Sequence, residues 1–492
     1  MSVSKVLLSK LKDVSLAIDC ALVGDKWITA SSTGATFEVT NPSSGEVIAT
    51  LPNLGRDEVL LAIDAAHTAQ KVWAKCTGKE RAGILRMLND LIVANVEDLA
   101  TILTMEMGKP WPEARAEVLY GASYVEWFGE EAKRVYGDTI PGHQADKRII
   151  VIKQPIGVVG AITPWNFPNA MLARKMAPAL AAGNSMVAKP AAQTPLSALA
   201  LAALAERAGL PLGLFSVLTS TNAAVVGQEF CANEKVRKLT FTGSTNVGKI
   251  LMRQGADQIL KLGLELGGNA PFIVFADADL DVAVEGAIVS KYRNAGQTCV
   301  CANRLYVQAG VYDAFASKLI ERVRQMKVGD GFDEGVTIGP LIDENALRKV
   351  NEHVADAVAK GANVEFGGQS TARGGLFYTP TILTGVTKEM LVSSEETFGP
   401  VAPLFKFETE EEVVALANDT KFGLASYFFS KDISKIFRVA EQLEYAMVGV
   451  NTGLISTEVA PFGGIKQSGI GREGSKYGLD DYIELKYLCL SV

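Results

Sequence analysis

A close alternation of strand-like and helix-like segments between residues 155 and 280 constrains the fold of this chain more than any other feature. Short apolar runs typical of buried strands are separated by segments with helical periodicity. The predicted strands are Ile156–Thr163, Ser185–Lys189, Phe215–Leu218, Lys238–Thr242 and Phe272–Phe275, and the predicted helices are Pro168–Leu180, Pro195–Ala208 and Val247–Gln254. This alternation predicts a parallel sheet covered by helices on both faces, the doubly wound α/β class. Such sheets bind ligands beyond the carboxyl ends of their strands.

The flanking regions are predicted to differ from this central unit. Residues 20–55 read as short strands and turns, and the stretch from Arg56 to Tyr136 is mainly helical. A second strand–helix alternation follows residue 277, and Tyr482–Ser491 reads as a terminal strand that needs an edge to pair with. In the helix that starts near Pro195, we expect Thr194 to be the cap and Pro195 to occupy the first helical position.

Composition narrows the function further. The chain has 492 residues with 48% hydrophobic and 21% charged residues and a net charge of -7. It is therefore long enough for two or three domains, and nothing in its charge indicates a nucleic-acid or membrane-surface protein. No window approaches the ~18–20 apolar residues of a membrane span. Its six cysteines are scattered apart from one central pair, which favours a reduced, cytoplasmic protein over a disulfide scaffold.

The central pair, Cys299 and Cys301, lies in a loop-like run from Tyr292 to Arg304. Cationic and amide groups in this run are expected to favour the thiolate, so we predict a nucleophile here. Two ordinary buried cysteines fit the run equally well. Zinc and Cys-His protease sites are poor alternatives, because the histidines, His67, His143 and His353, do not cluster with cysteine. We therefore predict no metal.

Glycine-rich runs offer two candidate phosphate sites. The literal G-x-G-x-x-G at Gly469–Gly474 follows no strand and leaves too little chain for a βαβ unit, so it is set aside. At Gly243, by contrast, a predicted strand runs into a helix that opens at Ser244, which would point free backbone N–H groups at an anion. A plain helix cap is the alternative reading. Lys189, at the end of another strand, is either a second anion contact or a solvated strand end.

Four motifs in the right order carry a specific resemblance. They are Thr163–Pro168 (TPWNFP), Leu264–Pro271 (LELGGNAP), Gly296–Cys299 (GQTC) and Glu395–Pro400 (EETFGP). Over nearly its whole length the chain resembles the aldehyde dehydrogenase superfamily. Within it, the runs Arg293–Arg304 and Glu458–Gly464 are similar to those of the succinate-semialdehyde dehydrogenases, with the glutarate-semialdehyde dehydrogenases close beside them.

The resemblance implies a three-part α/β architecture. A Rossmann-type doubly wound cofactor domain would comprise residues 1–136 and 154–264, and an α/β catalytic domain residues 265–460. Residues 137–153 and 475–492 would form a small β arm that bridges subunits into a homodimer or homotetramer.

The resemblance also assigns catalytic roles. Cys299 would attack the aldehyde carbon to form a thiohemiacetal, and hydride transfer to a nicotinamide would leave a thioester that water hydrolyses. Glu265 would be the base for that water, since a carboxylate deprotonates water only when it is held in place. The Asn166 side chain and the Cys299 backbone N–H would hold the oxyanion. A solvated carboxylate is the alternative for Glu265, although uncharged residues flank it.

For the cofactor, the resemblance implies contacts from Thr163, Pro164, Trp165, Asn166, Lys189, Pro190, Ala191, Ala192, Gly243, Ser244, Leu266, Glu396 and Phe398. Lys189 and Ser244 match phosphate or ribose contacts, Glu396 matches the nicotinamide ribose, and Phe398 lies near that ring. Many NAD-preferring relatives carry a glutamate at the position of Ala192. Its absence here predicts that NADP is preferred, with NAD also usable.

For the substrate, the matching residues are Arg174, Arg293 and Ser456, which would hold the far carboxylate of succinate semialdehyde. The planar fork of arginine suits a carboxylate, although structural ion pairs are the ordinary fate of such arginines. Cys301 is either a buried bystander or the partner of Cys299 in a reversible disulfide. The alternative functions are a glutarate-semialdehyde dehydrogenase, a coenzyme A acyltransferase and a non-catalytic binding protein of the same fold.

Overall fold

The structure is a computed structural model that describes residues 2–492. Its strands are β1 (Ser2–Val3), β2 (Ala21–Val23), β3 (Lys26–Ile28), β4 (Thr36–Thr40), β5 (Val47–Pro52), β6 (Asp138–Ile140), β7 (Lys147–Pro155), β8 (Val158–Ile162), β9 (Ser185–Lys189), β10 (Phe215–Val217), β11 (Val236–Thr242), β12 (Lys261–Glu265), β13 (Ala270–Val274), β14 (Ala302–Gln308), β15 (Asn363–Phe366), β16 (Thr381–Thr384), β17 (Val401–Phe407), β18 (Ala425–Phe429), β19 (Met447–Val450), β20 (Gly469–Ile470) and β21 (Ile483–Ser491).

The helices alternate with these strands. They are α1 (Lys5–Lys10), α2 (Arg56–Trp73), α3 (Gly78–Ala94), α4 (Val96–Met107), α5 (Trp111–Glu131), α6 (Ala170–Ala181), α7 (Leu196–Arg207), α8 (Ala223–Ala232), α9 (Thr245–Gly255), α10 (Leu280–Tyr292), α11 (Tyr312–Arg324), α12 (Glu344–Ala359), α13 (Leu391–Ser394), α14 (Glu410–Asn418) and α15 (Ile433–Gln442).

The predicted doubly wound sheet is confirmed for four of its five predicted strands, whereas the fifth, Phe272–Phe275, belongs to the second large sheet as part of β13. The strand order of the doubly wound sheet is β20-β12-β11-β8-β9-β10-β2-β3, with parallel pairing from β12 to β10 and antiparallel strands at both edges. Strands β8, β9 and β10 are buried throughout. Along β9, Met186 and Ala188 pack into one hydrophobic core while Val187 packs into another, because successive side chains of a strand point to opposite faces. Helices therefore cover both faces, as the apolar runs predicted.

A second sheet carries the later part of the chain, with the order β15-β16-β17-β14-β13-β18-β19. Its pairs are parallel except for β15, which runs antiparallel at one edge. Aromatic residues fill its core, and the ring centroids of Phe272 and Phe429 lie 4.8 Å apart. The run from Tyr292 to Arg304 extends from the end of α10 into the amino end of β14.

The terminal strand is confirmed, and its partner belongs to the same chain. β21 pairs antiparallel with β7 from Ile483 opposite Pro155 to Ser491 opposite Lys147, and β6 lies on the other side of β7. The three strands form a separate sheet. β21 therefore does not require a second subunit for this pairing, and its outer edge remains open.

The predicted cap at Thr194 is wrong. Pro195 occupies the cap position of α7 and the helix begins at Leu196. The backbone N–H groups of Leu196 and Ser197 donate instead to the two carboxyl oxygens of Glu106 on α4, at 2.7 and 2.9 Å. A carboxylate 90 positions away thus satisfies the free N–H groups of this helix.

Among residues 2–492, no helix is both long enough and apolar enough to cross a bilayer.

Candidate active site

Two cavities meet at the thiol of Cys299. The first, which we call the inner cavity, has a volume of about 230 Å³, and the second, the long cleft, has about 500 Å³. Cys299 lines both of them, as does Met171. A reactive group at such a junction can contact one ligand on each side.

The loop that carries Cys299 has an unusual backbone. Asn294, Ala295 and Gly296 follow one another with φ values of 53°, 54° and 76°. Left-handed backbone at two consecutive non-glycine residues is strained and persists only when the surroundings hold it. At Gly296 a Cβ atom would lie 2.2 Å from the carbonyl oxygen of Gly399. Only glycine fits this position, which accounts for the Gly in the GQTC motif.

Side chains from other segments hold this loop. The Gln297 side chain donates to the carbonyl of Pro340 at 3.3 Å and accepts from the N–H of Ile342 at 3.0 Å. The N–H of Asn294 donates to Glu113 on α5 at 2.8 Å. These contacts place the backbone on which Cys299 stands.

The predicted thiolate character of Cys299 is wrong for the free protein. The thiol is half-buried, and burial raises its pKa to about 12. Arg174 and Arg293 oppose this shift, while Glu265 adds to it. Desolvation of the anion outweighs the nearby cations. The thiol is therefore neutral until a base or a bound ligand changes its surroundings.

Cys301 lies apart from both cavities. Its side chain is fully buried, and its Sγ atom donates to the carbonyl of Lys291 at 3.4 Å. Burial raises the pKa of this thiol as well. Both cysteines are free thiols in the structure. A disulfide between Cys299 and Cys301 stays a prediction.

Glu265 stands at the carboxyl end of β12 and is only 4% exposed, so the reading as a solvated carboxylate is wrong. Neither of its carboxyl oxygens has a hydrogen-bond partner among residues 2–492. Burial raises its pKa well above the usual range, and Glu473 adds to the effect against Arg174 and Lys175. A buried carboxyl without partners is costly, so such groups mark functional sites.

The glycine run that was set aside supplies a site residue that sequence reasoning missed. The first part of this glycine run forms β20, which pairs antiparallel with β12 so that Gly469 lies opposite Glu265. Glu473, within the same run, forms ion pairs with Arg174 and Lys175. An acidic residue inside a glycine-rich loop was the available signal, but its basic partners lie about 300 positions away.

Asn166 contributes both its side chain and its backbone. Its Nδ2 atom donates to the carbonyl of Gln297 at 3.0 Å, and its Oδ1 atom has no partner in the described part of the chain. Its backbone carbonyl accepts from Lys109 at 2.7 Å and from the side chain of Asn294 at 3.1 Å. The residue lines the long cleft, and one N–H of its amide remains available for an oxyanion.

Arg174, Arg293 and Ser456 all line the inner cavity. Arg174 fits both the structural and the substrate-binding reading. Its Nε atom pairs with Glu473, while its Nη2 atom is buried and has no partner among the residues that the structure describes. The Arg293 guanidinium lies 5.4 Å from the ring centroid of Phe167. The cavity thus offers guanidinium donors and a hydroxyl to a small anion.

The long cleft collects most of the residues predicted to contact the cofactor. Those in its lining are Pro164, Trp165, Asn166, Gly243, Ser244, Leu266, Glu396 and Phe398. Thr163, Lys189, Pro190, Ala191 and Ala192 lie outside this lining. They lie at or just after the carboxyl ends of β8 and β9, where Ile162 of β8 pairs with Lys189 of β9.

At one wall of the cleft, the predicted strand–glycine–helix unit is confirmed. β11 ends at Thr242, and Ser244 caps α9 by accepting from the N–H of Val247 at 3.3 Å. The N–H of Gly243 donates to the backbone carbonyl of Glu265 at 3.0 Å. This wall therefore joins the amino end of a helix to the strand that carries Glu265.

At another wall, Glu396 and Phe398 face the cleft. A Glu396 carboxyl oxygen accepts from the N–H of Gly268 at 3.2 Å, and burial raises its pKa to about 7. Phe398 adopts a left-handed φ of 56° and packs edge-to-face on Trp165, with ring centroids 5.5 Å apart. Backbone strain at a cavity wall is typical of a ligand contact.

Lys189 is buried, so its reading as a solvated strand end is wrong. Its Nζ atom donates to the carbonyl of Pro190 at 3.0 Å, and burial lowers its pKa to about 8. An ammonium group held with a single backbone acceptor has donors to spare for an anion.

A buried ion pair beneath the site was also missed from the sequence. Lys109 pairs with Glu117 at 2.5 Å, and Glu117 accepts from the N–H groups of Asn169 and Ala170 at the start of α6. The Lys109 Nζ atom also lies 3.8 Å from the ring centroid of Phe167. Lys109 precedes α5 and Glu117 lies within it, and no motif in this stretch marked them.

Comparison with known proteins agrees with this geometry. Residues 27–488 match the profile of the aldehyde dehydrogenase family. The chain belongs to the aldehyde dehydrogenase family. A glutarate-semialdehyde dehydrogenase of Pseudomonas aeruginosa is 63% identical over 481 residues, which cover 98% of this chain and 99% of that protein. The succinate-semialdehyde dehydrogenase [NADP(+)] GabD of Escherichia coli is 61% identical over 483 residues, with 98% and 100% covered.

A solved structure confirms the aldehyde dehydrogenase fold. A succinate-semialdehyde dehydrogenase from Burkholderia pseudomallei superposes with a TM-score of 0.97 at 60% identity, covering 98% of this chain and 100% of that one. Family membership makes the protein an oxidoreductase that acts on aldehydes with a nicotinamide cofactor.

Proposed function

We propose that this aldehyde dehydrogenase oxidises succinate semialdehyde to succinate with NADP as the preferred cofactor. One observation carries the proposal. Cys299 lines both a long cleft and a small cavity that holds two arginines. The similarity to dehydrogenases of succinate and glutarate semialdehyde supports this substrate class.

Cys299 acts as the nucleophile. Its sulfur attacks the aldehyde carbon, and a nearby base takes the thiol proton, because the thiol is neutral in the free protein. The side chain of Asn166 and the N–H of Cys299 hold the resulting oxyanion of the thiohemiacetal. The nicotinamide, when bound, supplies a hydride acceptor.

Glu265 then acts on the thioester at Cys299. It takes a proton from water, whose oxygen attacks the thioester carbon and expels the sulfur, so that the acid leaves and the thiol returns. The raised pKa of Glu265 makes its carboxylate a stronger base toward water than an exposed carboxylate. Glu265 thereby favours water over coenzyme A as the acceptor.

The cofactor fits the residues present. Gly243, Ser244 and the amino end of α9 would hold phosphate, Glu396 would hold the ribose beside the nicotinamide, and Phe398 would lie near the ring. The unpartnered ammonium donors of Lys189 suit a 2′-phosphate. Ala192 brings no carboxylate to repel that phosphate. NAD remains usable, because it lacks only the phosphate.

The far carboxylate of the substrate would bind Arg174, Arg293 and Ser456. The Nη2 atom of Arg174 is a buried donor without a partner, and such a donor is costly until an anion occupies the cavity. Glutarate semialdehyde, which is one methylene longer, is the second candidate. The 63% identity to a glutarate-semialdehyde dehydrogenase favours it.

We further propose that the enzyme is a homodimer or homotetramer and that it works in the cytoplasm. The open edge of β21 with its exposed apolar side chains supports the first point. The free state of all six cysteines supports the second. The division into a cofactor domain, a catalytic domain and a bridging arm at residues 137–153 and 475–492 also stays a proposal.

The decisive experiment is a steady-state assay of reduced nicotinamide with each semialdehyde and each cofactor. We expect succinate semialdehyde and NADP to give the highest kcat/KM. Cys299→Ser should lose roughly a thousandfold or more in rate. Glu265→Gln should release about one reduced cofactor per site and then stall, because the thioester persists.

Three outcomes would contradict the proposal. Full turnover in a Cys299→Ser variant would exclude Cys299 as the nucleophile. A wild-type protein that binds the aldehyde but does not oxidise it would indicate a binding protein. A preference for NAD by more than about tenfold, or 1.4 kcal/mol, would refute the cofactor assignment.

A further inference from the structure

Glu113, in the first turn of α5, lies where the inner cavity meets a second space. Its side chain lines the inner cavity and also an outer pocket of about 740 Å³, and it is half-buried between them. One carboxyl oxygen accepts from the N–H of Asn294 at 2.8 Å. Glu113 thus contacts Asn294, the chain neighbour of Arg293, and lines the inner cavity together with Arg293.

Among the described residues, two of the four charged side chains that line the inner cavity have an ion-pair partner and two do not. Its charged lining residues are Arg174, Arg293, Glu113 and Glu117. Glu117 is paired with Lys109, and Arg174 is paired with Glu473. Among the described residues, neither Arg293 nor Glu113 has an ion-pair partner within 4.0 Å. The net charge that a small anion meets in this cavity therefore depends on Glu113.

We propose that Glu113 is a specificity-determining residue whose carboxyl sets how strongly the inner cavity accepts an anionic aldehyde. The inference rests on the proposed function, since it takes Arg293 as a partner of the substrate carboxylate. A protonated Glu113 leaves the positive charge of Arg293 uncompensated. An ionised Glu113 repels the substrate carboxylate and competes for Arg293.

The protonation of Glu113 makes this selectivity depend on pH. Burial raises its pKa, and the N–H of Asn294 opposes the shift. The other charged groups that line the two spaces around it or act on it are Lys109, Glu117, Arg174, Arg293, Lys10, Asp333 and Glu334. A raised pKa keeps the neutral form present to higher pH. Binding of an anionic aldehyde is therefore strongest at low pH and weakens as the pH rises through the pKa of Glu113.

A comparison of two four-carbon aldehydes tests this inference. Succinate semialdehyde stays ionised and butanal uncharged from about pH 5.5 to about pH 9. We expect the KM ratio of succinate semialdehyde to butanal to rise about 3- to 30-fold over this range in wild type. In Glu113→Gln the ratio should stay flat and low. Taking the ratio at each pH cancels those effects of Cys299 and Glu265 titration that act equally on both aldehydes, and the Glu113→Gln variant shows any charge effect of these two groups that remains.

Two further variants separate charge from structural support. Glu113→Asp keeps the charge and should retain the pH-dependent ratio. Glu113→Ala removes the charge and the acceptor of Asn294, so it should flatten the ratio and also lower kcat for both aldehydes. If the KM ratio depends on pH in the same way in Glu113→Asp and Glu113→Gln, the carboxyl only supports the loop, and the inference is wrong.

Failure of the proposed function would look different. A wild-type enzyme that prefers butanal at every pH would refute anionic substrates altogether. A wild-type preference for the anionic aldehyde whose pH dependence survives in Glu113→Gln would refute only the role of Glu113.

Discussion

At the scale of single residues, the neutral thiol of Cys299 has a direct consequence. Burial raises its pKa to about 12, so the thiolate fraction in the free protein grows about tenfold per pH unit through the neutral range. Alkylation of Cys299 by iodoacetamide should accelerate accordingly, with no plateau below about pH 10. Peptide mass spectrometry follows this site alone, and Cys299→Ala provides the blank. A plateau of the alkylation rate near neutral pH would mean that Arg174 and Arg293 lower the pKa of Cys299 more than burial raises it.

Arg293 provides a second prediction at this scale. Its guanidinium has no ion-pair partner among the described residues and faces the inner cavity. Arg293→Ala should raise KM for succinate semialdehyde by roughly 10- to 100-fold and leave KM for butanal nearly unchanged, because only the anion needs the cation. Steady-state kinetics measure both values.

The matched control is Arg324→Ala, which removes an exposed arginine from α11. It should change neither KM. Equal losses on both aldehydes in Arg293→Ala would assign Arg293 a purely structural role.

At the scale of elements, the start of α7 depends on a remote carboxylate. Glu106 accepts from the N–H groups of Leu196 and Ser197, and no side chain of α7 or its flank replaces it. Glu106→Ala should therefore destabilise the protein by about 2–4 kcal/mol, since it leaves two buried donors without partners. Denaturant titration and the apparent Tm measure the effect.

Thr194→Val is the matched control at the same helix end. The Thr194 hydroxyl makes only a 3.5 Å contact to the carbonyl of Trp165, so its loss should cost less than about 1 kcal/mol. If Thr194→Val lowered the free energy of unfolding more than Glu106→Ala did, Thr194 would be the residue that caps α7.

At the scale of the whole molecule, β21 presents apolar side chains to solvent in the single chain. Leu485 and Tyr487 are 68% and 58% exposed and lie on the same face, since they are two residues apart on a strand. If this surface joins subunits, the double change Leu485→Asp and Tyr487→Asp should lower the molar mass in light scattering to that of a smaller assembly. A charged pair is costly inside an interface.

Ile259→Asp serves as the control, because Ile259 is 92% exposed and belongs to none of the strands of that sheet. It should leave the mass unchanged. An unchanged mass in the β21 variant would exclude this face from the assembly.

Much of the architecture was predictable because the signals were local. The boundaries of β9 and the start of α2 at Arg56 agree with the predictions, and the strand–glycine–helix unit at Gly243 is where the pattern placed it. Apolar periodicity and turn residues act over a few positions. The motif residues Cys299 and Glu265 were found by resemblance, and the structure brings them to one site.

Sequence alone therefore determined the doubly wound sheet, the family and the residues that motifs mark. The tertiary structure decided the protonation of Cys299, the cap of α7, and the pairing of Glu473 with Arg174 and Lys175. These features depend on which groups are desolvated together and on contacts between residues 90 to 299 positions apart. Desolvation and long-range charge pairing leave no periodic trace in the chain, because they arise only when distant segments pack against one another.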